Sequence, residues 1–162
     1  MYSPEERKHK IESYGQAYDV LVEGLKAFPR EMWGFKPAEG WSIHEILMHI
    51  TDSEANSYVR CRRFIAEPGL GVYGYDTDVW SDKLGYSSQS ADEAIDLFRA
   101  LRRNSYHLIK SLPDGVWANT IEHSESGTMN FDRWLEIYEG HVVDHLMQMK
   151  DVYEEWQKSD AK

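Results

Sequence analysis

From Phe131 to Gln157 the chain runs without proline and with a single glycine, Gly140. Phe131, Trp134, Leu135, Tyr138, Val142, Leu146, Met149, Val152 and Tyr153 recur there at steps of three and four. That spacing predicts one long amphipathic helix, which commits the fold to helix-on-helix packing. His141 and His145 stand four apart on the apolar stripe, so their imidazoles lie one turn above the other on the same side. Two imidazoles in a low-dielectric seam need partners for their nitrogens. A divalent metal supplies one, and H-x-x-x-H on a helix face is a common way to offer two ligands. The alternative is a pair of half-buried histidines bonded to backbone or water.

Three further segments carry the same periodicity. The first is expected from Pro4 to Phe28, with Ser3 as N-cap, Glu6 three residues on, and Pro29 as its stop. The second opens on a capping box, Ser42-Ile43-His44-Glu45, and runs to Glu67-Pro68-Gly69. The third opens on Ser90-Ala91-Asp92-Glu93 and ends at Pro113-Asp114-Gly115. Thr128 or Asn130 caps the fourth. A chain of 162 residues with four long helices reads as one all-α domain over residues 1–162, a four-helix bundle with core room for a metal site. Between the second and third helices lies a long irregular connection, Gly69 to Gln89, in which Asp76 to Ser81 forms a short helical turn; such loops shape sites or cover an end of the fold. The alternation Thr120-Ile121-Glu122-His123 suggests a small hairpin.

Charge and composition narrow the function classes. The formal net charge is -10, which repels phosphate backbones and argues against nucleic acid as partner. No apolar run reaches the roughly 20 residues of a membrane span, and the first residues lack the apolar core of a signal peptide. Cys61 is the single cysteine and lies on an apolar stripe, so it reads as an inert buried thiol. A reducing, cytoplasmic setting is the expectation.

A metal site needs a third ligand, and five histidines remain: His9, His44, His49, His107 and His123. His44-Glu45-Ile46-Leu47-Met48-His49 is one residue too long for the zinc-protease motif H-E-x-x-H. Positions five apart on a helix diverge by roughly 140°, so His44 and His49 cannot grip one ion. Periodicity does not choose between them, although His44 falls in the exposed first turn and His49 lies deeper.

Trp41-Ser42-Ile43-His44-Glu45-Ile46-Leu47-Met48-His49-Ile50-Thr51-Asp52-Ser53-Glu54, the cluster Arg60, Arg62 and Arg63, and the terminal Gly140-His141-Val142-Val143-Asp144-His145 together resemble the DinB/YfiT-like superfamily. The likeness runs along essentially the whole chain. It implies a four-helix bundle holding a divalent metal, zinc or nickel, on three histidines, here His49, His141 and His145. It also implies a homodimer for many members. Thiol-dependent relatives (mycothiol-dependent maleylpyruvate isomerases and bacillithiol transferases) make a small-molecule thiol and an electrophile the expected partners.

Three neutral imidazoles leave a dication with open positions, as in catalytic sites, and they suit zinc or nickel better than magnesium or calcium. Such a centre can activate a thiol or water. Around it, Asp52 and Glu54 are candidate catalytic or supporting carboxylates. Asp144 points about 100° away from its neighbours and reads as solvent-facing. Arg60 is a candidate catalytic residue, and Arg60, Arg62 and Arg63 are candidates for holding an anionic thiol cofactor; surface ion pairing is the plainer reading for at least two of them. The leading functional expectation is a metal-dependent thiol S-transferase. A metal-dependent hydrolase and a non-catalytic metal-binding or stress-response bundle are the alternatives.

Overall fold

The computed structural model describes residues 1–160. Helix α1 spans Pro4–Leu25, α2 Ile43–Ala66, α3 Thr77–Lys83, α4 Ala91–Ile109 and α5 Phe131–Asp160. α1 ends three residues earlier than periodicity predicts, because Lys26, Ala27 and Phe28 close into turns on Glu23, Gly24 and Leu25 ahead of Pro29. The capping boxes at Ser3 and Ser42 both form in full. At Ser90 only half forms: the side chain accepts from the Glu93 N–H. Asn130, rather than Thr128, caps α5 by accepting from the Arg133 N–H at 2.8 Å.

α1, α2, α4 and α5 make the four-helix bundle, and α3 is an addition in the long connection. Contacts fix their directions. Arg7 meets Asp132, Ser13 meets Glu139 and Gly24 meets Leu146, so α1 and α5 run parallel. Thr51 bonds to Ala94 and Arg62 to Asn104, so α2 and α4 also run parallel. His49 lies against His145 while Arg60 reaches Tyr138, so α2 and α5 are antiparallel. Two consecutive long helices pointing the same way need a return path as long as the helix, about 36 Å for α2. The 67–90 connection is that path. It therefore carries α3, capped by Asp76 accepting from the Asp78 and Val79 N–H groups, and a short 3₁₀ turn at Tyr86–Ser88.

A small sheet joins the connection to the α4–α5 loop. β1 (Gly71–Val72) pairs parallel with β2 (Thr120–His123), which pairs antiparallel with β3 (Gly127–Asn130). The hairpin follows the alternation at Thr120. β1 carries too short a signal to be read from the chain, and pairing with Glu122 and His123 is what makes it a strand.

The bundle core is two apolar clusters with a polar belt between them. One holds Leu21, Leu25, Ile46, Ile50, Phe98, Val142 and Met149; the other holds Tyr14, Cys61, Phe64, Ile109, Trp117, Phe131 and Trp134. Where the helices pass from one to the other they bury Ser53, Glu54, Ser57, Arg102 and Ser105. Arg102 Nη2 donates to Glu54 Oε2 at 2.6 Å, Tyr14 Oη donates to Glu54 Oε1 at 3.0 Å, and Arg102 Nη1 reaches the Tyr138 carbonyl at 3.0 Å. One carboxylate and one guanidinium thus tie all four bundle helices together at the level of the histidines. Cys61 is fully buried, and burial pushes its thiol up to about 12, so it is inert.

Candidate metal centre

His49 on α2 and His141 and His145 on α5 converge across the antiparallel seam, with one ring nitrogen of each within 4.8 Å of the others. The i, i+4 spacing on α5 brings His141 Nε2 and His145 Nε2 to 3.1 Å. The His49 ring centre lies 4.8 Å from that of His145 and 5.5 Å from that of His141. Trp41, just before the α2 cap, packs its ring 4.9 Å from His49.

Burial, then the neighbouring His145, lowers His49 to about 4. Burial likewise holds His141 well below the ordinary histidine value, with His145, His49 and Arg102 adding to it, and it lowers His145. All three are therefore neutral at pH 7, the state a metal requires. The donor set fits a divalent ion on a second ground. His49 Nδ1 is buried with no hydrogen-bond partner, a cost that a purely structural histidine would avoid. Gln148 Oε1 lies 2.8 Å from His145 Nδ1; a carboxamide oxygen only accepts, so Nδ1 carries the proton and the Nε2 lone pair faces the cluster.

The other sequence candidates fall in three places. His44 Nε2 bonds the Gln89 carbonyl at 2.9 Å and takes no part in the cluster. Asp52 accepts from Tyr86 Oη at 2.6 Å, anchoring the long connection onto α2. Glu54 is committed to Arg102 and Tyr14 in the polar belt. Asp144 is exposed, as its angle on the helix suggested. The three arginines diverge. Arg62 stacks on Tyr58 and bonds Asn104 on α4, and Arg63 pairs with Glu67 on the surface. Arg60 alone turns toward α5, donating to Tyr138 Oη at 3.1 Å and to the Tyr73 carbonyl at 2.8 Å. Gly140 meets no neighbouring helix; a Cβ there would find only the Asp144 carboxylate at 3.8 Å.

Sequence reasoning missed Gln148, Trp41 and Tyr138 as neighbours of the histidines. Gln148 had a usable signal, since it stands three after His145 on the same face. Trp41 opens the stretch that carries the resemblance, but it lies outside the helix, so periodicity could not place it beside His49.

A family profile for the DinB superfamily matches residues 13–149, and the chain belongs to that superfamily. A protein of Oceanobacillus iheyensis, named as a candidate metal-dependent hydrolase, is 27% identical over 107 residues, covering 66% of this chain and 62% of that one. A similarly named protein of Bacillus mycoides is 24% identical over 115 residues, 71% of this chain and 66% of its own. The chain thus spans less than two thirds of the length of these curated relatives. Among solved structures, YfiT from Bacillus subtilis, described as a candidate metal-dependent hydrolase with an unusual four-helix bundle topology, superposes with a TM-score of 0.85 at 19% identity. That match covers 94% of this chain and 88% of YfiT, and it establishes the shared fold. No helix among the described residues is long and apolar enough to cross a membrane.

Proposed function

We propose that this protein is a metal-dependent hydrolase in which His49, His141 and His145 hold a zinc or nickel ion. The observation that carries the reading is the cluster itself: three neutral imidazoles with one nitrogen of each within 4.8 Å of the others, and one ring with a buried, unpartnered nitrogen. An ion held by three neutral ligands supplies Lewis acidity with positions left open for water and substrate. The names of the relatives, metal-dependent hydrolases, support water over a thiol as the activated species. The chain's own residues then have separable tasks. Gln148 fixes the His145 tautomer. Trp41 covers one side of His49 and keeps water from it. The pair Glu54–Arg102 braces the Tyr138 backbone one turn before His141.

Thiol transfer would use the same ion. Arg62 and Arg63, invoked for an anionic thiol, are engaged away from the histidines, so that reading rests on the superfamily resemblance. Metal-loaded protein incubated with carboxylic and phosphate esters, and separately with monochlorobimane plus low-molecular-weight thiols, tests the choice. Ester or phosphate turnover without thiol, lost in His141→Ala, is the expected result. Metal-dependent bimane conjugation with no ester or phosphate turnover would replace the hydrolase with a thiol transferase.

A further inference from the structure

Beside the histidines lies a second polar group that the metal reading does not use. Ser53 stands one turn after His49 on α2, and Tyr138 stands one turn before His141 on α5, their rings 5.9 Å apart in the latter pair. Arg60 closes the group. It stands three turns past His49 on α2, but a helical side chain leans back toward the N-terminus. That brings its guanidinium onto the Tyr138 hydroxyl.

The charge at Arg60 is uncompensated. In a chain of net charge -10, with 28 Asp and Glu, no carboxylate among the described residues pairs with it. Its partners are a phenol oxygen and the Tyr73 carbonyl, both neutral. Two of its five N–H donors are used, and three remain. Arg60 itself lines an open groove of about 560 Å³, with Asn56, Val59, Arg63, Tyr73 and Trp80, and the groove gives a solute access to it. An arginine held in place by neutral acceptors, with donors left free, is built to receive an oxyanion in fork geometry.

We propose that Arg60, braced by the Tyr138 hydroxyl, anchors a carboxylate or phosphate at one end of the substrate while the reacting group sits at the histidine cluster. The substrate class is then a small anionic ester or amide, with its charge about one helical turn, on the order of 5 Å, from the bond that breaks, the rise along α5 between Tyr138 and His141. This rests on the metal reading for the position of the reacting bond, but not for the anion site itself.

The test uses the full chain, metal-free and loaded with Co²⁺, titrated with glutarate, butyrate and inorganic phosphate. Two signals are followed: the cobalt absorption bands, and the Arg60 side-chain N–H resonances, assigned by their loss in Arg60→Lys. Glutarate or phosphate is expected to shift the Arg60 resonances in both forms. Glutarate is expected to bind cobalt-loaded protein at least tenfold tighter than butyrate does. Arg60→Lys and Arg60→Met should erase that tenfold gain while leaving cobalt uptake and helical circular dichroism unchanged. Cobalt bands that form normally while glutarate and phosphate leave Arg60 unmoved would overturn the anchor and spare the metal centre. An Arg60 response without any cobalt uptake would uphold the anion site and remove the metal reading.

Discussion

Arg102 and Glu54 form an ion pair at 2.6 Å with each side chain 1% exposed, in the middle of the bundle and within electrostatic reach of His141. A buried pair owes its net effect to complete satisfaction, and losing one partner strands the other charge. Arg102→Met should therefore destabilise the fold by about 3–5 kcal/mol. The double variant Arg102→Met with Glu54→Leu should recover much of that loss, because no buried charge is left alone. Urea unfolding of the two variants checks this. A double variant as unstable as the single one would show that the pair's geometry, not its charge balance, holds the helices.

The metal-free protein should lose stability on mild acidification. His49 is lowered to about 4 by burial and then by His145, and burial lowers His141 and His145 too. Groups with folded values below the unfolded one, about 6.5, bind fewer protons folded than unfolded. Their stabilisation is full above pH 6.5 and is lost as the pH falls toward 4, by about 1.4 kcal/mol per pH unit for each imidazole held neutral. Carboxylates with lowered values, such as Asp132 beside Arg7, lose their contribution only at lower pH. His123, lowered by burial and then by Arg60, shares the histidine window, so the slope is compared with that of His49→Gln. A urea midpoint that is flat between pH 7 and 5 in chelator-treated protein would contradict the burial of neutral imidazoles.

Two helical glycines, Gly140 inside α5 and Gly24 in the last turn of α1, should respond in opposite directions. Gly140→Ala places its Cβ in ordinary contact with the Asp144 carboxylate alone, at 3.8 Å, and should stabilise the protein by about 0.5–1 kcal/mol through helix propensity. At Gly24 a Cβ would lie 2.6 Å from a Leu146 methyl, so Gly24→Ala must push α1 and α5 apart or move that side chain. Its thermal midpoint should fall. Equal shifts in both variants would mean the α1–α5 approach at Gly24 is slack.

Gln148→Ala frees the His145 ring to turn and to take either tautomer. Removal of such an outer partner typically costs 10–100-fold in metal affinity. Competition titration against a chromophoric chelator measures it. An unchanged affinity would show that His145 is oriented by packing alone.

The bundle was legible because the apolar stripes of α1, α2 and α5 are nearly continuous and three of the helix starts carry a serine with a glutamate three residues on. The histidine pair was legible for the same reason, since i, i+4 spacing leaves one geometry. What escaped is polar and buried. On α4 the inward stripe is Ala91, Ala94, Phe98, Arg102, Ser105 and Ile109. A reading that follows apolar residues takes Ile95, Leu101 and Leu108 instead, which are only half-buried. Glu54 looked like a site carboxylate because its buried partner lies 48 residues away on another helix. No local pattern reports such a pairing. The direction of α4 was equally hidden: the length of the 67–90 connection permits a parallel return but does not require one.

The central claim is that His49, His141 and His145 hold one divalent ion. The most direct measurement is the metal content of untagged protein purified without chelator and then offered equimolar zinc or nickel, set beside His145→Ala and His49→Ala treated identically. The account predicts about one ion per chain in the parent, in the 1:1 stoichiometry of a single three-histidine site, and little in either variant. Equal metal in parent and variants, or none in the parent after loading, would contradict it.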